Sequence, residues 1–249
     1  MSIHALGFSL LNLAHMDHAL VIKPIENMPT IKSRDDISAI ITNSIRQNGI
    51  LLKEGDVVCV ASKIVSISED RYIDLSKITT TPEAERLHKI IGKKDPRIIQ
   101  LMIGQAGQIE ENIKINGPWI GVKNHIGRFL TSSGIDKVNE NTVLTLPDDP
   151  DFSASKIGRK LSANFNANVG VIITDSDGRE GITGAIQLCI GLYGVPPIRN
   201  QNDSPETACD MLAAAAGLVM GQRGNNIPVV IISGYEYTFS GHTKLKDAY

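Results

Sequence analysis

Three short segments of the chain set oxygen and amide donors where a strand end or a tight turn would hold them. In Thr174-Asp175-Ser176 a carboxylate and a hydroxyl emerge together from a rigid β-branched run, as hard divalent cations with oxygen ligands require. Ser133-Gly134-Ile135-Asp136-Lys137-Val138-Asn139 places an acid and an amide three residues apart, in a loop or a first helical turn. In Met220-Gly221-Gln222-Arg223-Gly224-Asn225-Asn226-Ile227-Pro228 a helix runs into a Gly-rich turn whose amides could contact phosphate oxygens. This is not a Walker loop, because it lacks the G-K-[ST] step and its helix comes before the turn. Each segment also has a plainer reading: an Asp-Gly turn, a capped turn and a helix C-cap respectively. Taken one at a time, the plainer readings are the commoner.

Other polar residues fall away. Asp148, Asp149 and Asp151 surround Pro150 ahead of a helix whose positive end favours acids, so they are read as structural. His88, His125 and His242 lack metal-site spacing, and the lone Trp119 is read as packing. Cys59, Cys189 and Cys209 are odd in number and widely spaced, which argues against a disulfide framework or a thiolate zinc site and makes a reducing cytoplasm the default. A 249-residue chain with 42% hydrophobic and 21% charged residues and a net charge of -2 has the composition of a globular protein, with no electrostatic footprint for nucleic acid. No apolar run approaches the roughly 20 residues of a membrane span, so no membrane partner is expected.

The elements that must position these groups are legible from periodicity and punctuation. Ser33-Arg34-Asp35-Asp36 is read as the capped start of a helix carrying Ile37, Ile40, Ile41 and Ile45 to Gly49. Residues 56–62 form a buried strand that delivers Ser62 and Lys63 at its end. Thr81-Pro82 and Asp95-Pro96 open helices running to Gly92 and towards Gly107. Short strands are expected over 113–146 and a helix over 151–165. A strand over 169–174 is expected to end abruptly at Asp175-Ser176-Asp177-Gly178-Arg179. A strand near 186–192, an Ala-rich helix over 204–220 and a final strand over 228–233 complete the pattern. Residues 1–19 lack the basic start and apolar core of a signal peptide and are read as an N-terminal extension, with 20–249 as the domain.

Taken together, these segments resemble the coenzyme F420-0 gamma-glutamyl ligase family from Leu20 to Ser233. The matches are Met28-Pro29-Thr30-Ile31, Ala61-Ser62-Lys63-Ile64-Val65-Ser66, Gly134-Ile135-Asp136 with Asn139, Asp149-Pro150-Asp151, Val171-Ile172-Ile173-Thr174-Asp175-Ser176 and Met220-Gly221-Gln222. No single motif is specific, but six in collinear order are. Periodicity alone supports only mixed α and β. The resemblance implies an α+β fold with mixed β-sheets and flanking helices, in two interleaved parts, assembled as an intertwined homodimer.

Carried over position by position, the resemblance implies that Asp136 and Asp175 hold one divalent metal and that Ser176 and Gln222 help hold a second. Magnesium or manganese is expected, with K+ as a further candidate. It also implies that GTP is surrounded by Met28, Pro29, Thr30, Ile31, Ser62, Lys63, Asn139, Gly221, Gln222, Arg223, Gly224, Asn225, Asn226 and Ile227. Asp136, Asp175 and Arg179 are the implied catalytic residues. The implied reaction activates an acceptor's carboxylate as an acyl phosphate, which the amine of L-glutamate then displaces.

Two departures from the family pattern stand out. Ile67 replaces a common lysine, leaving Lys63 as the substitute cation, and Gly181 and Ile182 replace an aromatic and an arginine beyond Arg179. They leave two alternatives beside F420-0 ligation: a gamma-glutamyl ligase for a folate-like or other cofactor, and a nucleotide- and metal-binding homologue without ligation.

Overall fold

The computed structural model describes residues 19–248 apart from 108, 202 and 223, so residues 1–18 of the expected extension lie outside the described residues. The first part of the chain forms β1 (Val21–Pro24), α1 (Ile37–Gln47), β2 (Val57–Ala61), α2 (Ser62–Ser68) and β3 (Tyr72–Asp74). The middle forms α3 (Pro82–Ile91), α4 (Pro96–Gln105), β4 (Ile113–Asn116), β5 (Trp119–Lys123), β6 (Phe129–Thr131), β7 (Asp136–Lys137) and β8 (Thr142–Leu144). The last part forms α5 (Pro150–Phe165), β9 (Gly170–Gly178), β10 (Ala185–Tyr193), β11 (Arg199–Gln201), β12 (Ser204–Glu206), α6 (Ala208–Met220) and β13 (Val229–Ser233).

Helix starts follow from side chains that satisfy the first free N–H groups. Thr81, Asp95 and Asp149 each cap a helix with proline just inside it, and Asp149 accepts from the Phe152 N–H at 2.9 Å. Helix α1 begins later than Ser33 would place it. Arg34 is left-handed at φ 67°, which interrupts a helix there, and Asp36 is the cap, accepting from Ala39 N at 3.0 Å. Helix α6 also starts late, at Ala208, because residues 204–206 are held as a strand paired with β11.

The central sheet has the order β1-β13-β2-β9-β10, with β2 and β9 parallel and the other pairs antiparallel. Alternation along the strands sends side chains to opposite faces. Val58, Val60, Val171 and Ile173 pack with α1 and α5, while Val57, Cys59, Ile172 and Val230 pack with Leu212, Ala213 and Ala216 of α6. Between α2 and α5 the chain leaves this sheet and builds a second core, in which Leu87 and Ile91 of α3 and Ile99 and Met102 of α4 pack with Ile120 and Val143. Two three-stranded sheets, β3-β8-β7 and β4-β5-β6, belong to this part. The mixed α+β architecture matches the expectation, and Trp119 is a packing residue whose Nε1 donates to Thr131 Oγ1 at 3.2 Å.

Part-buried polar contacts of Arg128 tie the two parts together, and those of Asp151 tie α5 to the central sheet. Arg128, in the turn before β6, donates to both carboxylate oxygens of Asp210 on α6 at 2.8 and 2.6 Å, and also to the Cys189 carbonyl of β10. Asp151, in the first turn of α5, accepts from the N–H groups of Leu192 at 2.8 Å and Leu245 at 3.0 Å. The Asp151→Ala variant is therefore expected to lose about 1–3 kcal/mol for each N–H left without a partner, and Asp151→Asn, which retains one acceptor, to lose less. Urea denaturation of the three proteins measures the difference.

Candidate functional site

Strand directions bring the candidate segments to one end of the central sheet. The parallel pairing of β2 with β9 stops at Ala61 opposite Thr174. β13 begins at that end, where Ala61 N–H donates to the Pro228 carbonyl at 2.8 Å and Val229 pairs with Val60. β1 ends there, with Pro24 opposite Val230 and the Ile25 N–H on the Val229 carbonyl at 2.9 Å. The loop holding Met28–Ile31, the start of α2 at Ser62-Lys63, the outer half of β9 and the turn over 221–228 thus all leave the sheet at one end.

β9 does not stop where the sequence predicts. Asp175, Ser176, Asp177 and Gly178 continue the strand because β10 supplies partners Leu188, Gln187, Ile186 and Ala185. β2 has ended by then, so one edge of β9 carries no strand, and Ser62 reaches across it to donate to Asp175 Oδ1 at 2.6 Å. Burial pushes the Asp175 carboxyl up to about 7; the Ser62 hydrogen bond opposes the rise and the negative charges of Asp136 and Asp177 add to it.

Asp136 lies in β7, a short strand rather than the loop or helical turn its sequence suggests. Ser132, Ser133 and Gly134 are all left-handed, which turns the chain sharply between β6 and β7. A side chain at Gly134 would start 2.6 Å from the Leu146 Cδ1, so glycine is required there on two counts. Lys63 Nζ stands 3.4 Å from Asp136 Oδ2, tying the start of α2 to β7. Sequence reasoning missed Asp177. It is buried, accepts the Thr131 N–H at 2.6 Å, and thereby docks the end of β6, and with it the turn leading to Asp136, onto β9. The signal was its period-2 placement two residues from Asp175.

Ser176 points to the opposite face from Asp175 and Asp177, towards α6. There it sits opposite Gln187, which lines a cleft with Gln222. The two predicted metal pairs are therefore separated by the sheet plane, with Asp136 and Asp175 on one side and Ser176 and Gln222 on the other. An oxygen-rich donor set suits magnesium or manganese, and a cation there would offset the burial and the neighbouring negative charge that raise Asp175. Among the described residues no three or more His, Cys, Asp or Glu form a group that could hold a metal ion, so Asp136 and Asp175 are the carboxylates that would hold a divalent cation here.

The predicted nucleotide residues lie on four segments, of which Ser62-Lys63 is described above. Gly221, Gly224 and Asn226 have positive φ, a conformation that L side chains rarely adopt. Asn225 folds over Gly221 so closely that a Cβ there would lie 2.4 Å from its Nδ2. Arg223 lies outside the described residues. Pro29 and Thr30 are exposed, Ile31 is buried in the first core and Met28 packs against it, so Ile31 offers backbone rather than side chain. Asn139 is exposed between β7 and β8, where its Oδ1 accepts from Asn141 N–H at 2.9 Å. Arg179 is exposed in the turn from β9 to β10, as is Ile182, whereas Ile67 packs against the first core. His88 and His125 face backbone carbonyls of Lys94 and Pro147, and burial pushes the Cys59 thiol up to about 12, which leaves it inert.

Residues 26–234 match the sequence profile of the family described as F420-0:Gamma-glutamyl ligase. The chain belongs to this family. It is 34% identical over 233 residues to the coenzyme F420:L-glutamate ligase of Methanothermobacter thermautotrophicus, an alignment spanning 88% of this chain and 90% of that protein. Proteins of the same name from Methanosarcina mazei and Archaeoglobus fulgidus are 32% and 31% identical over 238 and 231 residues, spanning 90% and 88% of this chain and 90% and 89% of theirs.

The raised Asp175 carboxyl in this F420-0:Gamma-glutamyl ligase family member gives a stability test. Between its ordinary value and about 7 the folded state binds more protons than the unfolded one, so metal-free stability falls as pH rises through that window. Asp175→Asn should therefore raise the melting temperature of the metal-free protein clearly at pH 8 and by less at pH 5, where only the lower part of that window has been crossed. Thermal melts in chelator at both pH values check this.

Proposed function

We propose that this protein is a nucleotide-dependent glutamate ligase that extends coenzyme F420-0 or a closely related acid with L-glutamate, with GTP as co-substrate. The observation that carries the reading is the convergence of Asp136 and Asp175 at the sheet end where the turn over 221–228 also begins, in a chain of this family. An amide cannot form from a free carboxylate and an amine at neutral pH without activation. The acceptor carboxylate attacks the terminal phosphorus, a P–O bond breaks, and the nucleoside diphosphate leaves. The glutamate amine then attacks the acyl carbon, phosphate leaves, and the amine's proton passes to solvent or phosphate.

This chain's residues divide the work. Left-handed residues in the turn over 221–228 present N–H groups to phosphate oxygens. Lys63 supplies a positive charge beside Asp136, and Ser62 orients the Asp175 carboxylate through its hydrogen bond. A magnesium or manganese ion held by Asp136 and Asp175 would neutralise charge on the transferring phosphoryl group; Ser176 and Gln222 are the residues that would contribute to a second. Arg179, exposed beside the site, is the cation available to an anionic acceptor. No protein nucleophile is required.

Exposed Met211 and Leu218 on the outer face of α6 support a homodimer as the working assembly. Three buried cysteines, with no helix among the described residues long and apolar enough to cross a membrane, suit a cytoplasmic enzyme. Ile182 favours one second reading. With a hydrophobic residue exposed where the family pattern carries a cation, a folate-like acceptor replaces the phosphodiester-bearing deazaflavin.

The test is phosphate release from GTP and from ATP with glutamate and manganese, with F420-0 or a folate as acceptor, followed by product mass. A product heavier by one glutamyl unit is expected with F420-0 and GTP, with turnover reduced about a hundredfold or more in Asp136→Asn and in Asp175→Asn. Glutamylation of the folate alone establishes the second reading.

A further inference from the structure

Lys94, in the loop between α3 and α4, is a half-buried cation whose pKa is lowered by burial. Its ammonium donates to Ser132 Oγ at 2.6 Å, and among the described residues it forms no ion pair: the adjacent Asp95 pairs with Arg97, and Asp136 pairs with Lys63. One hydroxyl engages one of three N–H bonds, and a desolvated ammonium without an anion destabilises the fold where a methionine of similar length would not. The position of this charge suggests its use. Ser132 follows Thr131, whose N–H donates to Asp177 and whose hydroxyl donates to the carbonyl of Gly178 at 2.7 Å, and Arg179 comes next. Lys94 and Arg179 therefore flank the junction of β6 with β9. The same loop passes β7, since Arg97 donates to Asn141 Oδ1 at 3.1 Å and to the Glu140 carbonyl at 3.4 Å. Residues 94–97 thus touch the chain on both sides of Asp136 and Asn139.

Chemistry narrows the anion. Most of the candidate nucleotide residues leave the end of the central sheet, whereas Lys94 joins the two helices of the second core. A phosphodiester suits the planar fork of an arginine such as Arg179, while an ammonium with two N–H bonds to spare suits a compact carboxylate. The acceptor's carboxylate is consumed in the reaction, but both carboxylates of glutamate persist, and the side-chain one lies farther from the attacking amine. Lys94 likewise stands off from the reacting centre, because Asp136 is paired with Lys63 instead. We propose that Lys94 is a specificity residue that receives the side-chain carboxylate of the incoming L-glutamate. The assignment rests on the ligase reading above.

The test compares amino acids. Wild type, Lys94→Met and Lys94→Arg are assayed with F420-0, GTP and manganese, using L-glutamate and L-glutamine, which differ only in the side-chain carboxylate. Wild type is expected to prefer glutamate. Lys94→Met is expected to raise the KM for glutamate about tenfold or more, to leave the KM values for F420-0 and GTP within about twofold, and to lose most of the preference over glutamine, part of which Lys94→Arg recovers. Its melting temperature is expected to hold or rise. A lower melting temperature and kcat with the preference intact would make Lys94 a buttress of the turn at Ser132 and overturn the assignment. A KM rise for F420-0 or GTP alone, which gives the cation to another anion, overturns it too. Equilibrium dialysis of radiolabelled glutamate, with manganese and a non-hydrolysable GTP analogue, needs no turnover. Lys94-dependent binding in a protein that glutamylates no acid overturns the ligase reading alone, and binding that is absent or unchanged in Lys94→Met overturns this assignment.

Discussion

The site depends on a mismatch of strand lengths. β2 ends at Ala61 while its parallel neighbour β9 continues to Gly178, so the outer half of β9 is paired on one side only. That free edge admits Ser62 from the start of α2 to Asp175 and, through Asp177, the end of β6. Were β2 as long as β9, its backbone would fill the space these groups occupy. β10 makes the extension possible by supplying four paired residues, without which an Asp-Ser-Asp-Gly run would fold back as a turn.

The same edge explains why carboxylates sit where they do. Asp175 and Asp177 share one face of β9, with Asp136 brought alongside by the left-handed turn at Ser132–Gly134. Burial raises the Asp175 and Asp177 carboxyls, with neighbouring negative charge adding to the rise at Asp175, and Lys63 pairs with Asp136. Gln187 on the opposite face is likewise buried, with no partner for its oxygen among the described residues. Polar groups held in this way cost stability, and they cluster at one end of a sheet whose central strands are otherwise mostly Val, Ile and Cys packed on both faces.

Much of the framework could be read in the residues because local chemistry determined it. Thr81-Pro82, Asp95-Pro96 and Asp149-Pro150 each begin a helix, with the capping side chain and the proline adjacent in sequence, and β-branched runs such as Val171-Ile172-Ile173 bury as strands. What could not be read depended on partners distant in sequence. The continuation of β9 through Asp175–Gly178 requires β10, the strand at Asp136 requires β8, and the start of α6 at Ala208 requires β11 to hold residues 204–206. Asp177 looked like a turn acid because its partner, the Thr131 N–H, is 46 residues away. Ser62 and Asp175 were each singled out, yet the bond between them spans 113 residues and has no signature in spacing.

The central claim is that Asp136 and Asp175, delivered by different parts of the chain, act as one cation site. Manganese titration followed by the electron paramagnetic resonance of the free ion tests it directly, in wild type, Asp136→Asn, Asp175→Asn and the double variant without nucleotide. The account predicts that either single substitution abolishes the tightest site and that the double variant is no worse, because each carboxylate binds only with the other in place. Two independent losses that add, or a tightest site that survives both substitutions, would contradict it.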